Sequence, residues 1–562
     1  MFRKSSLNTQ GNLFSSVPSI LEGKSRNQYN DKRAWHNQFR EQIVSRIDES
    51  VFSVLFSQKM GAPNAPITQL VGMMILKEAF VWSDSQLFEH CRFNLLVRSA
   101  LGLFNMDDQI PADSTYYLFR KRIHEYMREN NEDLLQKVFE KITREQVQEF
   151  DVNGKNIRMD SKLFSSNIAW YSRYEIILQS FMLFCKTLNK SDFLLFSEEE
   201  QQQLKLLLEE EPQKTVYNST KEDIHTKLQE IGILIHKTLL LFTSNNSEAY
   251  QLLQRVFREQ YKVEEEDKKV ELRAKEQIGS DSIQSPHDQD STYRHKSGNK
   301  VKGYSMNVTE TISDGSLDLI TNVKVDKANV ADSTFVQPAI TSTQAITNTS
   351  VEKVYADGAY QSPCNDSFCE NIDIVFTGIQ GYASRYDLEM TPEGLLVTDT
   401  KTGERFQATL AQKLNNSNED RWVIQNGKKR VYFNKLAIRA SLLRRTMKQR
   451  PIEELQKRNN VEATIFHVGY PLRNGKSKYR GLFKNQTWAT CRCLWVNLVR
   501  IMHFLEQTCQ RTFQKLKITA KLRLAIKFYE SYYKKLAWQS SIFTFCILNG
   551  TFNQFYKTYF LE

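Results

Sequence analysis

The 562 residues contain no run of about 18 apolar side chains, and the mean hydropathy is −0.51, so a membrane-spanning helix is not expected. The first 15 residues lack the apolar stretch of a secretory signal. With no export expected, the 8 cysteines read as reduced thiols. None of them stands in a CxxC pair: Cys364 with Cys369, and Cys491 with Cys493, lack zinc-binding spacing. The absence of a Gly-rich Walker loop argues against ATP use, and the absence of a G-x-S-x-G element argues against a serine hydrolase. No repeat of about 20–50 residues is visible. Acidic residues are scarce in one region only. From Arg421 to Glu562 there are 28 Lys and Arg against 6 Asp and Glu, an excess of +22, whereas the preceding 420 residues hold 48 basic and 59 acidic groups, or −11. A basic last quarter is the electrostatic footprint of a protein that meets a polyanion, nucleic acid first.

What is present is an ordinary folded composition, 40% hydrophobic and 25% charged, long enough for about three to five domains. The Gly61-Ala62-Pro63-Asn64-Ala65-Pro66 breaker precedes an apolar helix over 67–82. Ser83-Asp84-Ser85 and Pro111-Ala112-Asp113-Ser114 then cap further helices. This all-helical unit could hold a helix-turn-helix reader. The spacing next predicts a strand over 156–163 that delivers Asp160 near its end, then a charged, mostly helical insertion over 170–290 in which His225 and His236 have no ligand spacing. Strand patterns return at 301–312 and 317–325, joined by Asp314-Gly315. A helix at 331–347, a strand ending at Asp357-Gly358, a helix at 362–371 and a strand at 372–376 follow. That order predicts a mixed α/β sheet. Two hairpins, turning at Thr402-Gly403 and Asn426-Gly427, suggest a β-rich insertion. Helices are expected over 436–466, interrupted at Pro451, over 487–505 and over 516–537, before an aromatic, poorly patterned segment at 538–562.

Three acidic positions stand out by context: Asp160 and Asp357 at strand ends, and Glu462 in a helix of the basic quarter. Clustered carboxylates repel one another, and the cluster becomes favourable when it holds divalent cations. Hard oxygen ligands suit Mg²⁺, with Mn²⁺ as a possible substitute. Two such ions stabilise the attacking and leaving oxygens of an in-line phosphoryl transfer. Arg458, four residues before Glu462, shares its helical face and fits a phosphate contact as well as a plain ion pair.

These residues resemble those of bacterial insertion-sequence transposases of the DDE type, which have an N-terminal helical domain and an RNase H-like catalytic core. The resemblance runs from about 55 to 505. It is carried by Trp82-Ser83-Asp84-Ser85-Gln86-Leu87, Pro111-Ala112-Asp113-Ser114-Thr115, Arg158-Met159-Asp160-Ser161 and Ser166-Asn167-Ile168-Ala169-Trp170. It continues through Gly303-Tyr304-Ser305-Met306-Asn307-Val308-Thr309-Glu310-Thr311, Ala356-Asp357-Gly358-Ala359-Tyr360, Arg458-Asn459-Asn460-Val461-Glu462 and Tyr479-Arg480-Gly481-Leu482.

The resemblance implies that Asp160, Asp357 and Glu462 are the catalytic, metal-binding triad of a cut-and-paste DNA transposase. Double-stranded DNA, as terminal inverted repeats and as target, is then the partner, and a homodimer on DNA is expected because two ends are joined in one event. The DNA-binding candidates are Arg458, Arg473, Lys476, Lys478 and Arg480, with Lys428, Lys429 and Arg430 at the second hairpin. Many members carry Tyr three residues before the Arg and Lys about seven after the Glu; here these positions are Leu455 and Gly469, and Arg473, Lys476 or Lys478 could replace the Lys. The expected fold is multidomain α/β. An arm (1–55) and a helical DNA-binding domain (56–150) lead into an RNase H-like core (151–169 and 291–380), split by a helical insertion (170–290). A β-rich insertion (381–435), a helical completion of the core (436–510) and a basic, aromatic tail (511–562) follow. The expected location is cytoplasmic, on the nucleoid, with no membrane contact. A nuclease without strand transfer, or an inactive DNA-binding derivative, is the alternative.

Overall fold

The structure, a computed structural model, describes residues 1–4, 16–264, 269–296, 298–313, 316–379, 385–411, 420–427 and 429–511. The chain divides into a large unit, Met1–Arg500, and a second unit, Ile501–Glu562, of which 501–511 are described and helical. The Asp314-Gly315 turn, Lys428 and the helix expected over 516–537 lie outside the described residues.

The large unit is mixed α/β and starts with a helical region. The helix Ile67–Phe80 is apolar on nearly every side, and its residues from Ile67 to Glu78 are buried. A Cβ at Gly72 would stand 2.8 Å from Leu101 and 3.3 Å from Val44, so glycine is what lets this helix lie close to both neighbours. The helix stops at Val81, which takes a left-handed φ of 60°. The next begins at once, because Ser83 and Gln86 close a capping box over Asp84–Phe93. The helices Asp113–Asn130 and Leu134–Glu149 complete the region, the second capped by Asp133. Phe39, Val44 and Phe52, within the stretch read from sequence as an arm, are fully buried.

The strands, in chain order, are β1 (Asn156–Ser165), β2 (Tyr261–Val263), β3 (Val270–Leu272), β4 (Thr292–Lys296), β5 (Asn299–Thr311), β6 (Ile320–Lys327), β7 (Lys353–Ala356), β8 (Asp373–Phe376), β9 (Tyr386–Thr391), β10 (Gly394–Asp399), β11 (Arg405–Leu410), β12 (Arg421–Asn426) and β13 (Lys429–Asn434). In the main sheet β5 pairs antiparallel with β1 on one edge and with β6 and β4 on the other, while β7 and β8 continue parallel beyond β1. A Cβ at Gly303 would fall 2.2 Å from the Phe164 carbonyl oxygen, so the two backbones cross there only because residue 303 is glycine. β1 is longer than the sequence pattern suggests. Its pairing with β7 ends at Arg158, but its pairing with β5 runs on to Ser165, so Asp160 is a mid-strand residue where the parallel neighbour stops.

The side chains of β1 alternate between two layers. Ile157 and Met159 pack with Val336, Ala339 and Ile340 of the helix Val336–Thr347. Arg158, Asp160, Lys162 and Phe164 share the opposite face, where the helix Asn460–Gly469 and the helical residues 482–500 lie; there Phe164 meets Trp488 edge-on at 5.7 Å. Between β1 and β4 stands a helical insertion with its own core, in which Phe181, Ile235, Leu253 and Tyr261 are buried. His236 stacks on Phe257 at 5.5 Å, a packing role. The strands β9 to β13 form a separate antiparallel sheet in sequential order, packed against the helix Lys435–Gln449 through Ala437 and Ile438.

The helical region joins the main sheet through a polar seam. Arg492 donates to the carbonyls of Glu78 and Ala79, the Tyr479 hydroxyl donates to Glu78, and His124 lies 3.3 Å from the Thr487 hydroxyl. Burial, with Arg120 and Lys484 beside it, pushes the His124 imidazole down to about 4 from 6.5. The folded chain thus binds this proton only near pH 4, while the unfolded chain binds it near pH 6.5. The contribution is complete above pH 6.5 and is lost as pH falls towards 4. Melting temperature should therefore drop across that window, and His124→Gln should flatten the drop. An unchanged pH profile in the variant would place the acid sensitivity elsewhere.

Candidate active site

Asp160 and Asp357 come together by strand register. Arg158 of β1 pairs with Tyr355 of the parallel β7, and each carboxylate lies two residues further along its chain. Asp357 follows the end of β7 and accepts a hydrogen bond from the Ala359 amide at 2.8 Å, which turns the chain out of the sheet. Asp160 accepts from the Ser161 amide at 2.9 Å. Burial raises the Asp160 carboxyl above the usual range and Asp357 adds to the rise, while Arg458 and the Ser161 amide oppose it.

Glu462 lies in the first turn of the helix Asn460–Gly469. Arg458, just before that helix, forks between the two acids: one Nη is 2.9 Å from Asp160 Oδ2 and the other 3.0 Å from Glu462 Oε1. Its side chain is 11% exposed and that of Asp160 15%, but that of Glu462 is 62% exposed, so Glu462 is open to solvent where the other two are not. The buried Arg458 Nε has no hydrogen-bond partner among the described residues. Among the described residues no three His, Cys, Asp or Glu side chains stand close enough to hold one metal ion.

The basic candidates divide by position. Lys476 Nζ donates to the Ile168 carbonyl at 2.9 Å, Arg480 Nε to the Asn167 carbonyl at 2.7 Å, and Lys478 Nζ stands 3.2 Å from the buried Glu78. With the Ser477 amide bonded to Ser165 and the Ser165 amide to Gly475, this loop is stitched to the end of β1. Arg473, Lys429 and Arg430 are exposed and form no ion pair with a described residue.

A network that the sequence reading did not single out lies beneath Arg458. Glu310 of β5 is fully buried and is held by Arg158, by Arg500 at 2.7 Å and by the Thr464 hydroxyl at 2.7 Å. Arg158 also reaches Asp318 at 2.8 Å and the Lys457 carbonyl at 3.3 Å. The signal was available: Tyr304, Met306, Val308 and Glu310 alternate on one face of β5, and a carboxylate in the apolar phase of a strand requires partners.

Residues 27–122 match the family model described as Transposase domain (DUF772). This supports a transposase, an enzyme of the nuclease or transferase type. No curated protein and no solved structure matches the chain.

Glu310→Ala leaves the buried Arg158 and the partly buried Arg500 short of a counter-charge, and should cost about 3–5 kcal/mol of stability by chemical denaturation. A loss below about 1 kcal/mol would mean that water reaches and solvates both arginines.

Proposed function

We propose that the chain is a DDE-type DNA transposase that cuts and rejoins DNA at the ends of its own mobile element. One observation carries this reading: Asp160 and Asp357 lie at the junction of two neighbouring parallel strands, with a third acid, Glu462, linked to Asp160 by Arg458. The match of the N-terminal helices to a transposase domain supports it. So does the sheet, antiparallel from β6 through β5 to β1 and parallel through β7 to β8, as an RNase H-like core would be.

The donor set suits Mg²⁺, or Mn²⁺ in its place. Asp160 and Asp357 are hard oxygen ligands whose mutual repulsion a cation relieves, and Mg²⁺ is commonly held by one or two carboxylates, completed by water and phosphate. When bound, such an ion lowers the pKa of water and polarises the phosphoryl group. Asp160 and Asp357 would hold it, with Glu462 as the third candidate ligand. Arg458 pairs with Asp160 and Glu462 and so positions these two acids. Arg473, Lys429 and Arg430, exposed and without an ion pair to a described residue, would grip the phosphate backbone, with a dimer bringing two inverted repeats together. The work would be done on the nucleoid in the cytoplasm. No described helix is long and apolar enough to cross a membrane.

A catalytically silent DNA-binding derivative is the second reading, favoured by the exposed, arginine-held Glu462. Cleavage of a linear DNA carrying the gene with its own flanks, with and without Mg²⁺, separates the two. The wild-type chain should cut at the element's ends only with the metal, and Asp160→Asn should lower the rate by about 10²-fold or more while DNA binding persists. Equal cutting by the variant would refute the assignment, and no cutting by the wild type would favour the silent derivative.

A further inference from the structure

We propose that Lys162 is a phosphate-binding residue of this site, its ammonium holding the DNA backbone beside the carboxylates. The inference rests on the reading that the site acts on DNA, and adds a contact that no sequence motif indicates.

Lys162 follows Asp160 by two positions on β1, so both side chains leave the same face, about 7 Å apart along the strand. The neighbouring cations on that face have protein anions: Arg158 has Glu310 and Asp318, Arg500 has Glu310, and Arg458 has Asp160 and Glu462. Lys162 is half-buried and makes no side-chain hydrogen bond or ion pair with a described residue. Partial desolvation of an ammonium without a counter-charge is unfavourable, and an anionic ligand removes the penalty.

The opposite wall makes room for it. Gly469, the last residue of the helix that carries Glu462, would place a Cβ 3.2 Å from Lys162 Nζ. This glycine is not among the residues with positive φ, so its backbone does not demand glycine. A helical glycine costs about 0.5–1 kcal/mol relative to alanine. Glycine here leaves the ammonium its place, which a Cβ would crowd. A plainer explanation, that Lys162 serves to cap this helix, is already answered by another side chain: Arg492 donates to the carbonyls of His467 and Val468 in the last turn. The ammonium thus stands between the strand of Asp160 and the end of the Glu462 helix with no hydrogen-bond or ion-pair partner among the described residues, where a phosphodiester drawn to the carboxylates would pass.

The test uses the full chain and a linear DNA carrying the gene with its flanks. Affinity measured at several NaCl concentrations should show the slope of log affinity against log salt reduced by about one unit in Lys162→Gln and retained in Lys162→Arg. Single-turnover cleavage should fall about tenfold or more in Lys162→Gln only. In the wild-type chain, mass spectrometry after amine acylation should find Lys162 modified when free and protected by DNA, a readout that does not require a variant to fold. Wild-type cleavage with an unchanged slope and rate in Lys162→Gln, or acylation unaffected by DNA, overturns the proposal. If the wild type does not cut, the function fails, yet a changed slope together with protection still upholds the phosphate contact, and their absence overturns it. Protection by inorganic phosphate but not by DNA would also overturn it, by pointing to a free anion.

Discussion

The buried carboxylate of Glu310 is the constraint around which the rest of the site is arranged. A lone ionised group in this position would be prohibitive, so β5 can carry it only if Arg158, Arg500 and Thr464 all arrive. Those three residues come from β1, from the helical residues 482–500 and from the helix Asn460–Gly469. Satisfying one charge therefore fixes two helices against the sheet. Arg158 extends the constraint by donating to the Lys457 carbonyl, one residue before Arg458. The separation between the strand of Asp160 and the helix of Glu462 is thus set by a charge network on the same face of the sheet, two residues along β1 from Asp160.

Beside that network, the electrostatics at Asp160 oppose one another. Burial and Asp357 resist ionisation of Asp160, and Arg458 favours it. On the proposed reading, a bound cation would add to the part Arg458 plays in holding that negative charge. Glu462, mostly exposed, is the member of the group with freedom to change position.

The basic quarter shows how a charge count can mislead about a surface. Lys476, Lys478, Arg480, Arg492 and Arg500 all belong to the +22 excess, yet each binds a carbonyl or carboxylate of the chain itself. They clamp the loop after the Glu462 helix to β1 and hold the N-terminal helices to the sheet. Among the described candidates Lys476, Lys478 and Arg480 are exposed but already bonded to the chain, and Arg473, Lys429 and Arg430 are exposed with no ion pair to a described residue.

Where a signal is local, the sequence is enough to read it. Ser83 and Gln86 are three residues apart, so their capping box follows from the tetrapeptide. Thr402-Gly403 and Asn426-Gly427 mark their turns because glycine takes a positive φ there. Asp160 and Asp357 were identifiable because strand patterns flank them, and adjacent parallel strands align their ends. The extent of β1 was not legible, because it is set by pairing with β5 across an insertion of more than a hundred residues. Nor were the partners of Glu310, the internal use of Lys478, or the meeting of Lys162 with Gly469. These depend on which side chains share a buried layer, and desolvation acts on whatever packing brings together, with no regard for distance along the chain. Sequence determined the kinds of element and the acids that could serve them; tertiary structure decided which charges face each other and which remain open to a ligand.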